Sequence, residues 1–156
     1  MTVHGFLSAK VIRKDGTVKQ LACMKHNELT NAGRDVMHSN CYTNTTTGTR
    51  GFNYIAVTET LLSLPNLSAT TLPGEITTNG LGRATASPPA SHTTGTNTST
   101  VEVTMTSSGS FTDVVASATF NASSGATIGH QANYASGSGT LISGDTLKTT
   151  WTLNLG

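Results

Sequence analysis

The sequence predicts a mainly β protein: an antiparallel β-sandwich, with a jelly roll as one candidate topology, an N-terminal hairpin and one short helix. Segments in which apolar and polar residues alternate recur along the chain, and clusters of Gly, Ser, Thr and Asn separate them. Thr occupies many of the polar positions, and Thr suits the solvent side of a strand. With 156 residues, we expect a single domain spanning 1–156.

The first predicted unit is a hairpin over residues 1–24. Asp15-Gly16 is typical of a two-residue type I′ turn, because Gly tolerates positive φ. The apolar residues expected on the inward face are Leu7, Ala9 and Val11 in the first strand and Val18, Ala22 and Met24 in the second.

The second unit is the single predicted helix, over residues 27–39. Apolar and small residues recur at helical spacing, namely Leu29, Ala32, Gly33, Val36 and Met37. Asn27 is a suitable N-cap, since its side-chain oxygen can accept a backbone N–H.

Residues 52–155 are predicted to supply the sandwich strands. These are Phe52–Thr58, an irregular Glu75–Thr85, Thr98–Thr106, Phe111–Phe120, Thr127–Tyr134, Thr140–Ile142 and Thr146–Leu155. Two polar segments, 40–51 and 87–97, are predicted to be long loops. In the last strand Leu147, Trp151 and Leu153 alternate with polar residues, so we expect Trp151 to be a core anchor.

The charged residues are few and unevenly placed. They make up 11% of the chain, with a formal net charge of +1, which gives no global argument for nucleic-acid or membrane binding. Residues 1–35, however, carry six basic and three acidic groups. Lys10, Arg13, Lys14 and Lys19 are therefore candidate docking residues for an acidic partner, and a solvated hairpin face is the alternative.

Two arginines stand alone in weakly charged stretches. Arg34 and Arg83 are candidate structural anchors, because a guanidinium can bond several carbonyls or a carboxylate such as Asp35 or Glu75. The alternative is that both are ordinary solvated arginines.

No motif in the sequence predicts chemistry. A P-loop, GxSxG, HExxH and EF-hand loop are all missing, and the five histidines are dispersed. We therefore predict a non-enzymatic protein with no catalytic residues, metal ligands or cofactor.

Cys23 and Cys41 are expected to be reduced and buried, with a disulfide as the alternative. The N-terminal residues lack an apolar core and no run of 18 apolar residues occurs, so we expect neither a secretory signal nor a transmembrane helix.

Four groups of residues resemble a known pattern. They are Asn27, Leu29, Thr30, Gly33 and Arg34; then Tyr54, Ile55, Ala56 and Val57; then Glu75, Leu81, Arg83 and Ala84; and finally Gly144, Asp145, Leu147, Thr150, Trp151, Thr152 and Leu153. Together they resemble the small virion structural proteins of tailed bacteriophages, although the family's GLF is replaced here by Ala118-Thr119-Phe120.

This resemblance implies a non-enzymatic role in the particle. Together with the low charge, the Thr-rich strands and the missing active-site motifs, it leads us to expect an accessory protein that decorates or cements the capsid or the head–tail region. Its partners would be the major capsid protein or other virion proteins, together with further copies of the chain, and its location the virion, assembled in the host cytoplasm. The alternative function is a receptor- or glycan-binding module of a tail fibre or baseplate, with the loops 40–51 and 87–97 at its tip.

Overall fold

The computed structural model describes residues 3–30, 51–87, 91–92, 98–125 and 127–155. Within these ranges every regular element is a β-strand, and all strand pairs are antiparallel. The strands are β1 (Val3–Ile12), β2 (Val18–His26), β3 (Glu28–Leu29), β4 (Tyr54–Thr58), β5 (Ala84–Thr85), β6 (Ser91–His92), β7 (Thr98–Thr106), β8 (Phe111–Val114), β9 (Ala116–Phe120), β10 (Ile128–Asn133), β11 (Gly139–Leu141) and β12 (Thr146–Leu155). The described part of the chain contains no helix that is long and apolar enough to cross a membrane.

The strands form three sheets. Sheet A has the order β2-β1-β12-β7-β6, sheet B the order β3-β10-β9-β4-β5, and sheet C pairs β11 with β8. The predicted mainly β, antiparallel character is confirmed. In sheet A the period-2 pattern places Leu7, Val11, Leu147 and Trp151 on one side, where all four are fully buried.

The main hydrophobic cluster draws on all three sheets. Sheet A contributes Val101 and Trp151, sheet B contributes Ile55 and Val57, and sheet C contributes Leu141. These residues pack as one core, and burial of their apolar surface is the main contribution to stability.

Sheet B is also covered on its second face. Ala56, Phe120 and Ile128 point away from the main core and pack against Leu62 and Leu72 of the connection after β4. Strand β4 is therefore buried on both sides, as its continuous apolar sequence predicts.

The predicted helix over 27–39 is wrong at its start. Glu28 and Leu29 form β3, which pairs with Gln131 and His130 of β10. Thr30 continues this attachment, because its hydroxyl donates to Ile128 O at 2.9 Å. These long-range backbone pairs outweigh the helical periodicity of the local sequence. Residues 31–39 lie outside the described ranges.

The hairpin differs from its prediction in the turn and in β2. Arg13 N–H donates to Thr17 O at 2.9 Å, and Gly16 has φ 85°, so the loop has three residues and ends in a glycine bulge. Two register shifts then occur between β1 and β2, and Met24 has φ 50°. Each shift inserts a residue in β2 and changes which side chains face inward.

The inward positions of β2 consequently change. Leu21 and Ala22 are both buried, whereas Val18 and Met24 are 58% and 57% exposed. Cys23 is an exposed free thiol, which corrects the expectation that it is buried, and Cys41 lies outside the described ranges.

Two further segments depart from the predicted strands. Phe111–Phe120 divides at Val115, so that β8 joins sheet C and β9 joins sheet B. Val115 N–H donates to Thr58 O and its carbonyl accepts Tyr134 N–H, which holds the switch point between the sheets. The predicted irregular strand Glu75–Thr85 is reduced to a bridge between Glu75 and Thr58 and the short β5.

Candidate functional site

The outer face of sheet A is a regular surface formed by long neighbouring strands. We use this name for the outward side chains of three of its four long strands, namely Phe6, Ser8, Lys10 and Ile12 of β1, Thr146, Lys148, Thr150 and Thr152 of β12, and Thr100, Glu102, Thr104 and Thr106 of β7. They share a face because residues directly opposite each other in an antiparallel pair point to the same side. The face is rich in hydroxyl groups and carries only three charges.

The three charges on this outer face lie close together. Lys148 Nζ is 2.7 Å from Glu102 Oε1, and Thr150 Oγ1 donates to Glu102 Oε2 at 2.9 Å. Partial burial raises the pKa of the Glu102 carboxyl, but these hydrogen bonds and the charges of Lys148 and Lys10 outweigh that effect, so the pKa lies below its usual value. The carboxylate is thus held ionised, and Lys10 adds a positive charge beside it.

The four candidate docking residues do not form one patch. Lys10 lies on the outer face of sheet A, Lys14 is exposed in the hairpin turn, and Lys19 donates to Ser138 O at 2.8 Å. Arg13 is bonded to Asp145, a carboxylate that is only 1% exposed and also accepts Ile142 N–H. Arg13 therefore neutralises a buried charge, and only the three lysines remain for an external partner.

Arg83 is held by several groups at once. Its Nε and Nη2 donate to the two carboxylate oxygens of Glu75 at 2.9 and 2.7 Å, and Nη1 donates to Ala122 O at 3.0 Å. The guanidinium also lies over the ring of Phe120, with Cζ 3.6 Å from the ring centroid. This arrangement fastens the segment before β5 to the end of β9. Arg34 lies outside the described ranges.

Trp151 belongs to the main hydrophobic cluster. Its indole is fully buried, and its ring centroid is 6.0 Å from that of His130 in β10. His130 also meets Phe52 edge-on, with 5.9 Å between the two ring centroids. The three rings form a buried row that links sheets A and B.

His130 is a buried titratable group that the sequence did not single out. Its backbone N–H donates to Thr119 Oγ1 at 3.0 Å, and its Nδ1 lies 3.3 Å from the same oxygen. Burial lowers the pKa of His130 from 6.5 to about 4. The sequence contains one indication of this burial: His130 lies two residues before Ala132 in β10 and therefore on the same side of the strand. A histidine at an inward position, however, belongs to no functional motif.

We expect His130 to make the fold acid-sensitive. Between pH 6.5 and 4 the unfolded chain binds a proton that the folded chain does not, so stability falls as the pH drops through this window. From about pH 7.5 to pH 5 the loss due to this group should be about 2 kcal/mol.

The measurement is the free energy of urea unfolding at several pH values for the wild type and for His130→Gln, which cannot titrate. The carboxylates contribute equally to both proteins, so the difference between their pH profiles isolates His130. Parallel profiles would show that His130 is not the source of acid sensitivity.

The described residues contain no group of three or more His, Cys, Asp or Glu side chains placed to hold a metal ion. Comparison of the chain with protein-family models, with curated proteins and with solved structures finds no match. These comparisons therefore identify no family for the chain.

Proposed function

We propose that this chain is a non-enzymatic structural protein of a tailed-bacteriophage virion, which decorates or cements the capsid or the head–tail region. The resemblance of its sequence motifs to such proteins supports the family. The observation that carries the role is the outer face of sheet A, where three neighbouring strands of nine or ten residues present a hydroxyl-rich surface with few charges.

Such a surface suits extended contact with another protein. The centres of protein interfaces are depleted in charged residues, because each buried charge must be desolvated. Threonine also loses less side-chain entropy than lysine or glutamate when it is buried. The partners would be the major capsid protein, other virion proteins or further copies of the chain, and the protein would be located on the virion after assembly in the host cytoplasm. No cofactor, specific nucleic acid or membrane is part of this proposal.

We also propose that sheets A and B form a β-sandwich with jelly-roll-like topology. The shared core of Val101, Ile55 and Val57 supports face-to-face packing of the two sheets. The contact between Trp151 and His130 supports it independently, because the two rings belong to different sheets.

The docking role of the hairpin can be tested without unfolding it. We expect the triple variant Lys10→Glu, Lys14→Glu, Lys19→Glu to lose most of its binding to particles that lack the protein, and wild-type binding to weaken as salt rises. Arg13 must be kept, since its removal would leave the buried Asp145 without a counter-charge. Co-sedimentation with the particles measures binding.

The matched control for the docking test is Lys25→Glu, a charge reversal elsewhere on the same hairpin, which should bind normally. Thermal unfolding should show that both proteins are folded. If the triple variant sediments with the particles as well as the wild type does, the basic hairpin is not the docking element.

A second candidate function is the receptor- or glycan-binding module of a tail fibre or baseplate. A polar pocket beside Gln131 favours it, as argued below. Copy number, measured by quantitative mass spectrometry of purified virions, distinguishes the two. Many copies in simple ratio to the major capsid protein would support shell decoration, whereas few copies would favour a tail component.

A further inference from the structure

A pocket of about 310 Å³ lies between β10 and the connection that follows β4. Its polar lining consists of hydroxyl and amide side chains, namely Ser63, Asn66, Ser68, Thr70, Thr71 and Gln131. Its volume is at the lower end of the range for small-molecule sites, about 300–1,000 Å³, and therefore suits a single small ring.

Hydrogen bonds hold the lining residues Gln131 and Asn66 in place. Gln131 is only 2% exposed, and its Nε2 donates to Asn66 O at 3.0 Å. The backbone N–H of Asn66 in turn donates to Glu28 Oε2 at 3.1 Å. The loop that carries most of the lining residues is thus tied to both β10 and β3.

The walls of the pocket are tied to the sheet in the same way. Asn133 accepts the N–H of Leu62 and donates to its carbonyl, both at 2.9 Å. At the other wall, the Thr58 hydroxyl lies 2.6 Å from Pro73 O. These hydrogen bonds hold the pocket in place before a ligand binds, so the pocket is preorganised. A preorganised site loses less conformational entropy on binding.

The lining determines the class of ligand. None of the nine lining residues is ionisable or aromatic, so the pocket offers no counter-charge to an anion or a cation and no platform for a flat aromatic ring. Its hydroxyls and amides can both donate and accept hydrogen bonds, and Leu62, Ala69 and Pro73 add apolar surface. A sugar ring presents the same combination of hydroxyl groups and C–H surface.

We propose that this pocket binds one neutral monosaccharide unit of a glycan, a hexose or an N-acetylhexosamine. Without aromatic stacking the affinity of one site should be weak, in the millimolar range. Display of many copies on one particle would raise the avidity, so weak single sites would still hold a glycan-covered surface. The proposal does not depend on the position of the protein on a virion.

The test is a titration of the isotope-labelled chain of 156 residues with glucose, galactose, mannose and N-acetylglucosamine, followed by amide NMR shifts. We expect saturable shifts, for at least one sugar, at the pocket residues Ser63, Asn66, Ser68, Thr70 and Thr71. Glucuronate and glucose 6-phosphate serve as charged comparators and should bind more weakly than the neutral sugars, because the lining has no cation.

Two variants connect the shifts to the pocket. Thr70→Phe and Ser63→Phe replace exposed side chains at its rim and should each weaken binding at least tenfold. Thr104→Phe, at an exposed position on the outer face of sheet A, is the matched control and should bind as the wild type does. Two rim variants are used so that a folding defect in one does not remove the test.

The proposal is overturned if no neutral sugar gives saturable shifts at the pocket. It is equally overturned if the shifts persist in a folded rim variant, or if a charged comparator binds there more tightly than every neutral sugar.

Discussion

Replacing Trp151 by Ala is expected to lower the free energy of unfolding by about 3–5 kcal/mol, the largest effect of any single substitution proposed for this chain. The indole is fully buried in the cluster shared by the three sheets. Its removal loses the transfer free energy of a large side chain, and it leaves a cavity between strands that are fixed by long backbone ladders. Because β12 is hydrogen-bonded on both sides, it has little freedom to close that cavity.

The loss on Trp151→Ala can be measured by urea unfolding followed by circular dichroism, since the variant lacks the only tryptophan and its fluorescence cannot report on folding. Val18→Ala is the control, because Val18 is also a strand residue of sheet A but is mostly exposed. It should change stability by less than about 1 kcal/mol. If Trp151→Ala changed stability no more than Val18→Ala does, the indole would not be the core anchor that its burial indicates.

Strands with a strict period of two could be predicted from the sequence. β7 and β12 begin and end where the alternation of apolar and polar residues places them. Each buries one face along its length, so a shift of one residue would expose every apolar side chain, and the pattern specifies the register.

Elements whose conformation depends on distant partners could not be predicted. The three-residue turn places Val18 opposite the outward Ile12, and the bulges that follow in β2 turn Met24 outward. Nothing in the local sequence shows where the extra residues of the bulges will be inserted. Likewise Glu28 and Leu29 belong to a helical pattern, but they pair with a strand about a hundred residues later. In both segments, pairing with a distant strand determines the conformation more strongly than the local sequence does.

The charged contacts also divide into those that the local sequence could predict and those that depend on distant residues. Glu75 could be suggested as a partner of Arg83 because only eight residues separate them. The partner of Arg13 could not, since Asp145 lies 132 residues away and reaches the hairpin only through the pairing of β1 with β12. The sequence alone therefore predicts one docking set from the basic residues of the hairpin, although Arg13 has a structural role.

The second large effect is expected at the ion pair of Arg83 and Glu75. Replacing Arg83 by Met should cost about 3 kcal/mol, because it leaves the carboxylate of Glu75 partly buried without its counter-charge. The two side chains are only 10% and 19% exposed, so water compensates little for the lost partner. The substitution also removes the bond to Ala122 O and the contact with Phe120.

The pair Lys148–Glu102 provides the matched control for this ion pair, with an equal N–O distance of 2.7 Å but side chains that are 33% and 25% exposed. Lys148→Met should lower the free energy of unfolding by less than about 1 kcal/mol, because water can solvate the carboxylate of Glu102 once its partner is removed. The double variant Arg83→Met, Glu75→Gln should recover part of the loss, since no unpaired charge then remains. Equal losses for Arg83→Met and Lys148→Met in urea unfolding would show that burial does not strengthen the Arg83 pair, and that Arg83 is no more an anchor than a surface lysine.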